Sequence, residues 1–201
     1  MSSLLHLTNQ QIIYQSNSIV NNKNIRFADL MLEDLLKSFP KNIDFYQIAA
    51  KVLLIDKLYS TQLFRYNKKE FLTRLVENIY NIKDFDLRVE NGDPTVVCEI
   101  YYGFNKKLFS FASKYCCLHN VIVYNKDDYS IYDSAVRKLL PKYAKKVGIK
   151  LTGAQLDRWY KENEYAAFNN SVSDLLDAAQ INIQNRKRKF DLFLWSQRNN
   201  V

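Results

Sequence analysis

The chain has 201 residues, 47% hydrophobic and 14% aromatic, so one domain or two small lobes sharing an interface can bury a working core, and disorder over most of the length is excluded. Four glycines and three prolines are too few for the regular tight turns of an all-β chain, which favours helices. Twenty-nine basic against 21 acidic residues give a formal charge of +8 and a pI near 9.2, so an anionic partner is expected whose kind the charge alone does not specify.

The three cysteines, Cys98, Cys116 and Cys117, show no metal-ligand spacing, and His6 and His119 are isolated, so neither a metal nor any other cofactor is expected. Free thiols on apolar segments fit a reducing compartment. MSSLLHLTNQQ lacks a basic run followed by an apolar one, and no apolar run approaches a membrane span. The expectation is a cytoplasmic, monomeric protein with no membrane contact.

In chain order, residues 1–25 carry an amphipathic piece around Ile12, Ile13 and Ile19, read as a peripheral helix. Residues 27–39 place Leu30, Leu32, Leu35, Leu36 and Phe39 near helical spacing, and Pro40 stops that helix. After Asn42 and Asp44 as possible caps, FYQIAAKVLLIDKL is apolar around most of its circumference and reads as a buried helix. Its end, Tyr59, Ser60, Thr61 and Gln62, turns polar abruptly; these side chains either aim at a ligand or bond the local backbone. Residues 67–82 form an amphipathic helix, and 83–94, with its Asn-Gly-Asp-Pro signal, read as a connector. TVVCEIYY is taken as a short buried helix after Asp93 and Pro94, because no partner strand is evident.

A helix is expected from Lys107 to Leu118 and another from near Asp133, where Pro141 either kinks it or separates two helices. TGAQLDRWYKENEYAAF and SVSDLLDAAQINI follow, with Ser171 or Ser173 as a cap between them, and KRKFDLFLW anchors the end. Roughly nine or ten helices make an all-α protein. Lysines crowd the segment after Asp133, and Arg186 to Lys189 form a second basic run.

Lys107, Ser110 and Lys114 lie at offsets of three and seven and share a helix face, while Leu108, Phe111, Ala112 and Tyr115 face the core. A lysine bordering an apolar face is partly desolvated, which lowers its pKa and makes a neutral amine available as a nucleophile. Asp133, after Tyr129, Ser130, Ile131 and Tyr132, stands at a helix N-terminus that keeps a carboxylate ionised. Taken alone, such an aspartate is most often a helix cap.

The pair KLFSFASK and IYDSAV, with the basic helix after it, resembles the catalytic region of the helix-hairpin-helix DNA glycosylases, and the archaeal-type 8-oxoguanine glycosylases most of all. The likeness covers about forty residues and elsewhere rests on helix order. It implies a compact multi-helix glycosylase-like domain over 1–201, either one body or two lobes, 1–26 with 150–201 and 27–149, around a cleft. It further implies a DNA glycosylase with AP lyase activity, acting on double-stranded DNA in a nucleoid setting. Lys107 matches the Schiff-base lysine and Asp133 the catalytic aspartate, 26 positions later; Lys114, 19 positions before Asp133, is the rival nucleophile. Gly103, Asn105 and Lys106 stand where the family's hairpin binds a phosphate, although only Gly103 of its two glycines is present. Arg137 and Lys138 are implied to hold phosphates, and Tyr59 to Gln62 to probe the opposite strand. Serine at 130 departs from the family's proline.

Two further readings compete. One is a DNA-binding protein without chemistry, with Asp133 as a cap and the lysines on phosphates. The other is a defence or regulatory module whose basic surface meets an acidic protein or RNA. The 14 tyrosines suit stacking on single-stranded bases where exposed and core packing where buried.

Overall fold

The structure, a computed structural model, describes residues 4–63, 69–104 and 108–198, the side chains of Asn24 and Lys69 apart. Eleven helices and no strand occur among them: α1 (Asn9–Val20), α2 (Lys23–Ser38), α3 (Phe45–Tyr59), α4 (Lys69–Asn81), α5 (Phe85–Glu90), α6 (Thr95–Glu99), α7 (Phe109–Tyr124), α8 (Ser134–Lys146), α9 (Gly153–Glu162), α10 (Tyr165–Ala178) and α11 (Arg186–Ser196). The all-α expectation holds, with all the helices expected from the apolar periodicity present and an additional one, α5, in the stretch read as a connector. None of these helices is long and apolar enough to cross a membrane.

Helix α7 is the axis. Every residue from Phe111 to Asn120 is buried, as befits a helix apolar around most of its circumference. Helices α2, α3, α5 and α6 pack on it, while α8 packs on α9 and α11, and α1 lies along α11. One contiguous core runs from Ile12 of α1 through Leu75, Leu139 and Leu156 to Phe193 of α11. At the start of α7 the Phe109 ring meets Tyr101, Tyr132, Tyr160, Tyr165 and Phe168 at centroid separations of 5.0–6.5 Å, tilted or edge-on as ring quadrupoles prefer.

Two open alternatives are decided and two local expectations corrected. Asp44 caps α3 by accepting from the Gln47 amide, whereas Asn42 is buried and bonds Asp86. The break after α9 falls at Asn163, whose left-handed backbone ends the helix, and not at a serine; Ser171 and Ser173 lie inside α10 with their hydroxyls turned back to the Phe168 and Asn169 carbonyls. Helix α8 runs through Pro141 as one element. The ring removes one backbone bond, and the buried Leu139, Leu140, Tyr143 and Ala144 on either side of it hold the helix in place. Finally, α7 extends to Tyr124, well past Leu118.

A polar knot lies between α3, α5 and α7. Lys51, 0% exposed, donates to the Lys41 carbonyl at 2.9 Å and approaches Asn42 Oδ1 and His119 Nε2 at 3.4 Å; Tyr115 donates to the same Asn42 oxygen. Burial lowers the Lys51 amine to about 8, against the pull of Asp86. Burial, reinforced by Lys51, holds the His119 imidazole well below its ordinary 6.5, so the folded chain keeps it neutral.

Two outcomes are expected. Because the unfolded chain protonates His119 first, stability falls as the pH drops below about 6.5, approaching about 1.4 kcal/mol per pH unit from this residue; urea melts across that range check it, and His119→Gln flattens that part of the slope. Phe109→Ala removes the ring that five others surround and costs about 4 kcal/mol by the same melts, far more than truncating an exposed aromatic.

Candidate functional site

Residues 125–133 return along α7: the Lys126 amide donates to the Asn120 carbonyl, and from Asp128 onward side chains rather than a neighbouring strand bond the backbone. The Asp128 amide donates to Asn120 Oδ1 at 2.9 Å, while Asn120 Nδ2 reaches Asp128 Oδ2 at 2.9 Å and the Val89 carbonyl at 2.8 Å. The Tyr165 hydroxyl accepts from the Ser130 amide and donates to the Ser130 carbonyl at 2.8 Å. The Tyr132 amide donates to Ser113 Oγ at 3.1 Å. Gly92, at φ +71°, lies where a Cβ would come within 2.7 Å of Asp128, so only glycine lets the segment pass.

This anchoring delivers Asp133 to α7. Its Oδ1 accepts from the Ala135 and Val136 amides at 2.9 and 3.0 Å and caps α8, as the residue type and position predict. Its Oδ2 is left for Lys114, whose Nζ stands 3.9 Å away and donates to Ser110 Oγ at 2.9 Å. Lys114 is only 4% exposed. Burial holds its amine below the ordinary 10.5, with Asp133 pulling the other way. The expected sharing of one face by Ser110 and Lys114 is therefore visible as a bond between them.

Asp133 opens onto a cleft of about 510 Å³ that Ser110, Tyr132, Ser134, Arg137 and Lys138 also line, while Lys114 lies behind its wall. Arg137 is engaged by Asp157, through Nε at 2.7 Å and Nη2 at 2.9 Å, so a phosphate has to compete with that carboxylate. A second cavity, of about 240 Å³, opens farther along α7. Leu118 and Ile122, at i+4 and i+8 from Lys114, line it with Tyr59, Asp29, Arg188 and Leu192 among others. Along α7, Lys114 stands between Ser110 of the first hollow and Leu118 of the second and lines neither.

Tyr59 is turned inward. Its hydroxyl accepts from Arg188 at 3.0 Å and donates to Asp29 at 3.4 Å. Ser60 ends α3 in a left-handed conformation, Thr61 donates to the Asp56 carboxylate, and Gln62 is exposed at φ 63°. Gly103, at φ +75°, sits in the turn before α7, its carbonyl held by Arg74 at 2.7 Å. Asn105, Lys106 and Lys107 lie outside the described residues.

The basic run of α11 does not form the open phosphate patch its sequence suggests. Arg186 pairs with Asp177, and Lys187 donates to the Asp128 carbonyl at 2.7 Å. Arg188, half-buried, pairs with Asp191 at 2.6 Å. Burial raises the Asp191 carboxyl to about 6 despite Arg188, with the charges of Asp133 and Lys114 also acting on it. Sequence reading missed this second charged pair; its signal is the i, i+3 spacing of Arg188 and Asp191, the lone acidic residue of α11.

A family model described as HI_0787_N, an N-terminal domain, matches residues 9–128, a stretch that contains Lys114 and ends five residues before Asp133. An "Uncharacterized protein" of Haemophilus influenzae is 28% identical over 146 residues, which cover 70% of this chain and 60% of that protein's length. No solved structure gives a significant match. From the start of α1 to the segment that returns along α7, the chain belongs to the HI_0787_N family.

Proposed function

We propose that the chain is a helix-hairpin-helix DNA glycosylase with AP lyase activity, excising a damaged or modified base from duplex DNA, 8-oxoguanine being the base its sequence resemblance implies. The observation that carries the reading is the Lys114 amine 3.9 Å from the carboxylate of Asp133, which itself lines a cleft with Arg137 and Lys138. A base inside a duplex is out of reach of such a pair, so the nucleotide has to be extruded. The cleft would take the sugar and its phosphates, and the cavity beside Leu118 the base. Asp133 stabilises the positive charge that develops on the sugar as the glycosidic bond lengthens. The neutral lysine nitrogen bonds to C1′ while the base leaves with the bonding electrons and gains a proton. Ring opening then gives an imine, and loss of a C2′ proton expels the 3′ phosphate.

Two lysines are candidates for the attack. Lys114 has the described contact to Asp133; Lys107, two residues before α7, lies outside the described residues. The near-complete burial of Lys114 also supports a second reading, in which the pair is purely structural and the protein binds DNA without chemistry; binding is then salt-dependent and indifferent to Asp133→Asn.

Borohydride trapping on a duplex carrying 8-oxoguanine or an abasic site separates these. A covalent adduct is expected with the wild type. Its loss in Lys114→Gln but not in Lys107→Gln gives Lys114 the attack; the reverse gives it to Lys107 and leaves Lys114 as the counter-ion of Asp133. No adduct on either substrate or on other modified-base duplexes sinks the enzymatic reading. Asp133→Asn keeps a good cap, so the fold persists with a cost of at most about 1 kcal/mol, while excision slows roughly 10²- to 10⁴-fold.

If Lys114 attacks, the pH dependence follows from its environment. The amine has to be neutral, so adduct formation rises with pH along a limb centred below 10.5. Asp133→Asn removes the charge that raises the amine's pKa, so in single-turnover trapping the residual rate of that variant shows the limb at still lower pH.

A further inference from the structure

The turn between α6 and α7 is held more firmly than its exposure requires. Arg74 of α4 donates to the Gly103 carbonyl at 2.7 Å, and Asn78, one turn farther along α4, donates to the carbonyls of Ile100 at 3.3 Å and Tyr102 at 2.9 Å. The Arg74 guanidinium also lies over the Phe104 ring, 4.9 Å from its centroid, and Phe104 meets Phe71 edge-on at 5.0 Å. Two polar side chains and two rings thus fix a turn whose central side chain, Tyr102, is 81% exposed. Beside it is an open cavity of about 400 Å³. Glu99, in the wall of that cavity, has its charge offset by Arg88. The turn is fixed relative to the cleft as well, since the Tyr101 ring stands 6.4 Å from Phe109, and Phe109 stands 5.0 Å from Tyr132, which lines the cleft beside Asp133.

An aromatic side chain held out into solvent on a rigid turn, with an exposed guanidinium next to it, has the make-up of a stacking platform: the ring takes the face of a base and the cation takes its phosphate. We propose that Tyr102 stacks on an unpaired nucleobase of the bound DNA, at a point fixed relative to the Asp133 cleft. The inference rests on the chain's binding DNA but not on its cutting it. Stacking needs only the π-face, so the contact tolerates any base.

The test is fluorescence anisotropy with a labelled duplex carrying a tetrahydrofuran abasic analogue opposite an unpaired base, titrated at several salt concentrations. Tyr102→Ala is expected to weaken binding by between about fivefold and a hundredfold, the range for one lost base stack, with an unchanged salt slope because no charge is removed. Tyr102→Phe should bind like the wild type. Arg74→Ala should weaken binding and reduce the salt slope by about one contact. Wild-type affinity in Tyr102→Ala, or an equal loss in Tyr102→Phe, overturns the stacking role while leaving the glycosylase reading untouched. Binding with the expected variant pattern but no borohydride adduct overturns the chemistry and keeps the platform. A wild type that does not bind this duplex overturns both.

Discussion

The fold depends on how the returning segment 125–133 is satisfied. A buried backbone without a helix or sheet to complete it carries amides and carbonyls that cost free energy unless something bonds them. Here the partners are side chains: Asn120 at residue 128, Tyr165 at 130 and Ser113 at 132, with the Asn169 amide and the Lys187 amine sharing the Asp128 carbonyl. The bonded positions alternate, as they would in a strand, and α7 and α10 supply what a neighbouring strand would. Removing any of these side chains leaves a buried polar group without its mate, which is why the returning chain holds one path.

The candidate site follows from that path. Once Tyr132 is tied to Ser113, the next residue arrives beside Lys114, one position farther along α7, and its carboxylate divides between two tasks: one oxygen caps α8 and the other faces the lysine. Neither group can turn away without breaking a helix end or stranding a buried charge. Two largely enclosed ion pairs, Lys114 with Asp133 and Arg188 with Asp191, stand near each other, a pattern that active sites and structural networks share.

Much of this was legible in the sequence. The apolar character of 109–120 announced a central helix, and the aspartate before SAVRKLL announced a cap. What sequence could not show is which lysine the cap would meet, because a helical repeat places Lys107 and Lys114 on one face equally well and only the path of 125–133 chooses along it. The serines of α10 misled for a related reason: their capping preference is local, while the burial of Phe168, Val172 and Leu175 keeps the helix running through them. The basic run of α11 looked solvated because composition is blind to partners that lie far away in the chain. Asp177, Asp128 and Tyr59 can be found only once the helices are assembled.

Asp127 adds a consequence for how the molecule forms. Its carboxylate accepts from the Lys187 and Arg188 amides at the start of α11, 60 and 61 residues away, just as Asp133 holds the start of α8. One stretch of seven residues therefore fixes two helix ends, one immediately next to it and one remote. The remote half can close only after α9 and α10 have been traversed, so its loop-closure entropy is paid late, in a step that couples distant parts of the chain. The local half, with α7 and α8 adjacent, can form early. The last event in assembly would then be the docking of α11, carrying Arg188 and Asp191 in behind a lysine and an aspartate already in place.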